Sequence, residues 1–414
     1  MLKSFTAHLL SEQKNTHMMH LEDQVIYGGV KGARDAILAL RSLRDMLSGN
    51  SSKSVDVTVK WDGAPAVFAG KDPNDGKFFV AKKGVFNKDP KVYKSHADID
   101  ADTSGDLSDK LKAAFDSLKS ANITDVIQGD IMFVKSDLKK EKIDGQEYVT
   151  FHPNTIVYAV PTGTPAAKEI TSAKIGVVWH TTYKGKTFED MKASYSVNMS
   201  QLKGAKAMWA QDATLRDMSG TVTLTKKDTE EVTAALSLAG KIFKRIASTT
   251  LKDIEKNEDL AKIIETHNNS YVRKGQRVTN TSKHVESLIK YINDKYGKEI
   301  DKRSSAKGKQ VQVTKRDDLL KFFSQRNRTN LKLIFDLQNA IVDGKLKLIN
   351  KLNRLSKMNT FIKKKNGFHV TGVEGYVAID KLKGGAVKLV DRMEFSTNNF
   401  SPDVIKGWDT PSRS

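Results

Sequence analysis

Lys60 follows the β-branched run Val55–Val59 and leads into Trp61-Asp62-Gly63. A lysine at a strand end, before an acid and a glycine turn, has the makings of a nucleophile. Its amine must lose a proton to attack, which neighbouring cations, a metal or burial would promote. On its own this tetrapeptide suits a surface turn equally well. Further clusters follow in order along the chain. Ala81-Lys82-Lys83-Gly84 ends a second strand-like run and offers cations to a phosphate. Gln128-Gly129-Asp130-Ile131 sets a carboxylate at the start of an apolar strand, and Val178-Trp179-His180 carries an aromatic on another. Val373-Glu374-Gly375-Tyr376 sets a carboxylate before a glycine in a β run. Ala386-Val387-Lys388-Leu389 puts a lysine inside an apolar strand, where an isolated ammonium is costly.

These residues need strands to position them, and the pattern along the chain supplies strands. Val55–Val59, Ala66–Ala69, Phe78–Ala81, Val126–Val134, Thr155–Val160 and Ile175–Thr182 read as β, with a turn at Lys71–Lys77. Leu107–Leu118 reads as an amphipathic helix among them. Long helical patterns then take over in Thr229–Ala247, His284–Tyr296 and Leu319–Leu355, with polar loops at Asn268–Thr281 and Arg303–Lys309. β texture returns in Phe368–Ile379 and Gly385–Met393. Near the N-terminus Ala36, Ile37, Leu40, Leu43 and Leu47 recur at helical spacing, and Gly49-Asn50 stops that helix. The fold class is α+β with mostly antiparallel strands. Four segments are expected: a helical segment 1–50, a β-rich domain in two pieces (51–202 and 367–395), a basic helical insertion 203–366, and an irregular tail 396–414.

The 414 residues are 38% hydrophobic and 29% charged, which supports a sizeable core and excludes wholesale disorder. No run approaches the ~20 apolar residues of a membrane span. The first residues are too polar for a secretory signal. With no cysteine in the chain, disulfides, thiolate metal sites and cysteine nucleophiles are excluded. A cytoplasmic address is expected, that of the host if the protein is viral. Lys+Arg number 69 against 49 Asp+Glu, and residues 241–366 alone hold 31 against 13. Such a local positive field suits a phosphate backbone, so nucleic acid is the expected partner. Other features carry less. His17 and His20 have a spacing that two metal ligands could use, but no further ligand accompanies them. Gly28, Gly29 and Gly32 suit a turn and helix start better than a phosphate cradle.

Taken in order, the clusters resemble the covalent nucleotidyltransferases, the superfamily of ATP-dependent DNA ligases, RNA ligases and mRNA capping enzymes. The resemblance spans 55–190 and 368–392 and is closest to a phage-type polynucleotide ligase; the first fifty residues look similar to uncharacterised proteins of large tailed phages. It implies a nucleotidyltransferase domain of ATP-grasp-like antiparallel sheets, here interrupted by the basic all-α insertion. Lys60 matches the AMP-accepting lysine, with Asp62 and Gly63 beside the nucleotide. Lys83, or Lys82, falls near the ribose or the nucleic-acid end. Asp130 stands where the family has Glu, at a ribose hydroxyl or the metal. Trp179 falls where an aromatic stacks on the purine, with Tyr158 as fallback. Glu374 matches the metal-binding acid and Lys388 the lysine on the α-phosphate.

The activity implied is joining of 5′-phosphate and 3′-hydroxyl ends of nicked or splinted DNA or RNA through lysyl–AMP, as in DNA repair. ATP and Mg²⁺ would be required, with Mn²⁺ able to substitute, and the protein would act as a monomer. Two departures stand out. Val390 occupies the place of a second lysine, and the chain after it is too short for a C-terminal OB domain. That absence weighs against the alternative of a GTP-dependent RNA guanylyltransferase. A non-enzymatic, basic nucleic-acid-binding protein is the other alternative.

Overall fold

The computed structural model describes residues 19–48, 55–215, 224–353, 358–380 and 385–407. Helices α1 (Gln24–Tyr27) and α2 (Gly29–Leu47) come first, then strands β1 (Val55–Lys60), β2 (Ala66–Lys71) and β3 (Phe78–Ala81). α3 (His96–Asp102) and α4 (Gly105–Leu118) precede β4 (Val126–Val134), β5 (Lys139–Ile143), β6 (Gln146–Phe151) and β7 (Ile156–Pro161). After α5 (Pro165–Ser172) come β8 (Ile175–Lys184), β9 (Lys192–Ser194), β10 (Met208–Asp212) and β11 (Thr214–Leu215). A helical run follows: α6 (Lys226–Arg245), α7 (Ser248–Lys256), α8 (Glu258–Arg273), α9 (Thr281–Asp301), α10 (Ala306–Leu320) and α11 (Gln325–Asn353). The chain returns through β12 (Asn359–Lys364), β13 (Gly367–Val370), β14 (Gly375–Asp380) and β15 (Gly385–Leu389) to α12 (Arg392–Phe400) and β16 (Val404–Ile405).

The strands form three sheets. The first is ordered β11-β1-β14-β15, the second β10-β8-β4-β2-β3 with β9 on β8, and the third β13-β12-β7-β6-β5 with β16 on β12. Pairing is antiparallel except between β10 and β8. The second sheet is covered on both faces. Ile127 and Ile131 of β4 pack against Leu111, Ala114 and Leu118 of α4, while Met132 and Phe133 pack against Phe151 and Tyr158 of the third sheet. Double coverage explains why Val126–Val134 is almost continuously apolar instead of alternating. Gly129 is needed in that strand: a Cβ there would lie 2.6 Å from the Val178 carbonyl oxygen, where β4 and β8 slip register.

The first sheet has a different backing. Leu40 and Leu43 of α2 share one core with Leu236, Leu251 and Ile341 of the helical run and with Val57, Tyr376 and Leu389 of the sheet. Residues 24–47 therefore belong to the helical layer and are not a segment of their own. A Cβ on Gly32 would lie 2.1 Å from the Gln24 carbonyl oxygen, so these glycines let α1 and α2 close on each other and leave no phosphate cradle.

The expected insertion 203–366 is also too wide, because β10, β11 and β12 at its ends are sheet strands; the helices span Lys226–Asn353. Leu319–Leu355 is broken at residues 321–324, where the chain turns between α10 and α11. The expected tail holds most of α12 and all of β16. Its signal was Asp391, whose carboxylate accepts from the amides of Met393 and Glu394 as an N-cap. The stop at Gly49-Asn50 lies outside the described residues. So does His17. Among the described residues no helix is long and apolar enough to cross a membrane.

Candidate active site

Lys60, Glu374 and Lys388 come together on neighbouring strands of the first sheet. β1 pairs with β14 so that Lys60 faces Gly375, and β14 pairs with β15 so that Val377 faces Lys388. The Lys60 ammonium donates to the Glu374 carboxylate across 314 positions of sequence. Gly375 has φ +150°, and a Cβ there would lie 2.5 Å from Val390 Cγ2; glycine lets β14 start this close to β15. The Glu374 side chain is only 10% exposed, against 31% for Lys60. Burial raises the Glu374 pKa, with Lys60 pulling it back and Asp62 adding to the rise. Burial lowers the pKa of Lys388, reinforced by the charge of Lys60 and opposed by Glu374. The Lys388 ammonium also lies 5.3 Å from the centroid of the Phe395 ring.

Asp62 anchors the loop that leaves Lys60. Its carboxylate accepts from Asn154 Nδ2 at 2.6 Å and from the amides of Thr155 at 2.7 Å and Ile156 at 2.9 Å. Its own amide donates to the Tyr158 hydroxyl at 2.7 Å. Both carboxylate oxygens thus serve the chain, and Asp62 fixes β1 to β7 instead of facing a nucleotide. Gly63 is required next to it, because a Cβ would lie 2.6 Å from Asp130 Cβ. Asp130 pairs in register with Ala66 and lies 3.6 Å from His180 Nε2. The charges of Asp62, Glu374 and Asp130 all bear on the Tyr158 hydroxyl, whose pKa is raised mainly by burial.

Trp179 is corrected. It is fully buried in the core between α4 and the second sheet and has no face for a purine. Tyr158, the fallback, is buried too and lies stacked on Phe151, with ring centroids 5.4 Å apart. Trp61 is the half-buried aromatic at the site, 5.1 Å from the Tyr158 ring. Lys82 is engaged by Asp102 at 2.8 Å, whereas Lys83 is exposed without an ion pair among the described residues. Lys363 of the basic run after the helices pairs with Glu141 at 3.2 Å in the third sheet.

The structure adds residues that sequence reasoning missed. α12 lies over Glu374 and is fastened by polar groups. Glu394 accepts from Thr371 Oγ1 at 2.7 Å and the Gly372 amide at 2.8 Å, Asn398 donates to Thr371 Oγ1 at 2.9 Å, and Thr155 donates to Asn399 Oδ1 at 3.1 Å. The cavity left among Asp62, Glu374, Glu394, Phe395 and Asn398 is about 10 Å³, room for one water and not for a nucleotide. Access to the Lys60–Glu374 pair is from the exposed side of Lys60. Near Lys388, His20 forms a parallel bridge with that lysine, and burial lowers its pKa to about 3. Neither α12 nor His20 is close in sequence to the residues it meets, so no local pattern announces them.

No group of three or more His, Asp or Glu arranged for a metal occurs among the described residues. Mg²⁺ takes one or two carboxylates and completes its shell with water and phosphate oxygens. Glu374, with Asp130 on the adjoining sheet, is a donor set of that kind.

The chain belongs to the family of unknown function DUF6267, whose model matches residues 15–403. That match runs through all three sheets and the helical layer, so the whole arrangement is the family's unit. No curated protein and no solved structure matches the chain.

Proposed function

We propose that this chain is a covalent nucleotidyltransferase that joins polynucleotide ends, an ATP-dependent ligase acting on nicked or splinted DNA or RNA. The observation that carries the reading is the meeting of Lys60, Glu374 and Lys388 on three adjacent strands. An amine, its proton acceptor and a second cation are what attack on a nucleotide α-phosphate requires. Lys60 gives a proton to Glu374, whose burial makes it a better acceptor than an exposed carboxylate. The Lys60 nitrogen then bonds to the α-phosphorus of ATP as the bond to the bridging oxygen breaks, and pyrophosphate leaves with the electron pair. Lys388 neutralises the α-phosphate oxygens as charge builds on them.

In the second step a 5′-phosphate oxygen of the polynucleotide displaces the Lys60 nitrogen, which recovers a proton. In the third, a 3′-hydroxyl attacks that 5′-phosphorus, loses its proton and expels AMP. Glu374 and Asp130 are the residues that would hold Mg²⁺, which when bound supplies further charge neutralisation at the phosphates. The helices Lys226–Asn353 hold 28 Lys+Arg against 16 Asp+Glu and would face the polynucleotide.

The test is intact mass spectrometry after incubation with Mg²⁺ and either ATP or GTP. The expected result is a gain of one AMP that is absent in Lys60→Ala. A gain of one GMP moves the protein to the capping class. No adduct in protein first stripped with pyrophosphate overturns the enzymatic reading and leaves a basic nucleic-acid binder.

A further inference from the structure

From Asn293 to Asp318 no residue is buried, although the segment is helical at both ends. α9 buries Thr281, His284, Val285, Leu288 and Ile292, all in its first half, and α10 buries only Leu319. The end of α9, Asn293–Asp301, therefore carries the chain about 14 Å beyond the helical core at 1.5 Å per residue. α10 brings it back. A helix that is polar on every side gains little by packing, so an arm of this kind has to be explained by what it touches.

Its charges are sorted along its length. Residues 295–316 hold eight Lys+Arg and two acids, while Asp294, Asp317 and Asp318 sit at the root. Glu299 is used by Lys302 at 2.7 Å and by Arg303 at 3.9 Å. Lys298, Lys307, Lys309 and Lys315 are exposed and make no ion pair among the described residues. No aromatic residue occurs from Gly297 to Asp318, so the outer arm has nothing on which an unpaired base could stack. Unneutralised cations without stacking groups match the evenly spaced phosphates of a double helix.

We propose that the arm formed by the end of α9 and by α10 clasps the phosphate backbone of duplex nucleic acid. The inference rests on the proposed function for its choice of partner. The test is fluorescence anisotropy of a labelled, nicked DNA duplex over a series of KCl concentrations. The arm variant carries Lys298→Gln, Lys307→Gln, Lys309→Gln and Lys315→Gln; a charge-matched control carries Lys139→Gln, Lys140→Gln, Lys142→Gln and Lys168→Gln on exposed positions of the sheet region. Circular dichroism checks folding, which is expected to be intact because none of the eight side chains is buried.

The slope of log Kd against log [KCl] is expected to fall by about 3 in the arm variant, near 0.9 per lost phosphate contact. The control slope is expected to stay within about 1 of the wild type on the same scale. An arm variant with the wild-type slope, or a control that loses as much, overturns the clasp. So does a wild type that binds single strands as tightly as the duplex, or no duplex at all. AMP transfer to Lys60 is measured in the same samples. Loss of duplex affinity in the arm variant upholds the clasp even where no adduct forms and the ligase reading itself fails.

Discussion

The first sheet and the helical layer use charge in opposite ways. At the sheet, Lys60, Glu374 and Lys388 are held on adjacent strands, partly out of water, by backbone approaches that only Gly63 and Gly375 allow. In the helical arm, Lys298, Lys307, Lys309 and Lys315 stand in solvent with no partner that fixes them. The difference separates two tasks. Placing an atom for bond formation needs burial, neighbouring charges and a rigid frame. Attracting a polyanion needs only a field, which exposed side chains supply at little cost to stability.

The contrast is open to attack from several sides. Lys60→Ala carries the largest effect: the nucleotide adduct is expected to vanish while duplex affinity stays close to wild type, and an equal fall in both would dissolve the distinction. Trp179→Ala comes next. As a core residue it is expected to cost about 3–5 kcal/mol in denaturant unfolding, with an unchanged KM for ATP in adduct formation. A raised KM with wild-type stability would return Trp179 to the purine.

The seam between the two regions is tested at Lys345, a fully buried lysine of α11 that pairs with Glu22 at 2.7 Å. Burial by itself would raise the Glu22 pKa, but Lys345, His20 and Arg392 overcome that and hold it low. Lys345→Met leaves the carboxylate without its nearest partner and is expected to cost about 3 kcal/mol. Adding Glu22→Gln is expected to recover most of that loss; if it recovers nothing, packing and not charge joins the layers.

The smallest effect concerns pH. His267 and His284 lie with ring centroids 4.4 Å apart inside the helical layer, and burial lowers their pKa values to about 4 and about 3 from the ordinary 6.5. The folded state favours the neutral rings. Their stabilisation is full above pH 6.5 and is lost as pH falls from there toward about 4 and about 3. Between pH 7 and pH 5 each is expected to cost about 2 kcal/mol. Denaturant unfolding of wild type and of His267→Gln with His284→Gln at both pH values checks this, and identical losses in the two proteins would refute it.

Local patterns made much of the scaffold legible. Phe78–Ala81 and Val126–Val134 are strands at the bounds their apolar runs suggest, and Gly105–Leu118 extends the expected helix by one turn at most. β5 and β6 escaped notice because five of their first seven residues, Lys139, Lys140, Lys142, Gln146 and Glu147, are exposed. Such a hairpin at a sheet edge has little apolar pattern to show. The motif residues were visible as an order along the chain, since a lysine at a strand end or an acid before a glycine is a local feature. Their purposes were less visible. Asp62 reads as a nucleotide contact until its carboxylate is seen accepting from β7, and Trp179 reads as a stacking face until α4 is seen to cover it.

By itself the sequence determined the α+β texture, the placing of the charge excess and the strand-end positions of Lys60, Glu374 and Lys388. Each of these follows from composition or from periodicity within one element. Only the tertiary structure decided that Lys60 meets Glu374, that α2 joins the helical layer, that α12 covers the site and that α9 and α10 leave the core. Periodicity states which face of an element is apolar. It does not state what that face lies against, and in this chain the decisive neighbours come from hundreds of residues away.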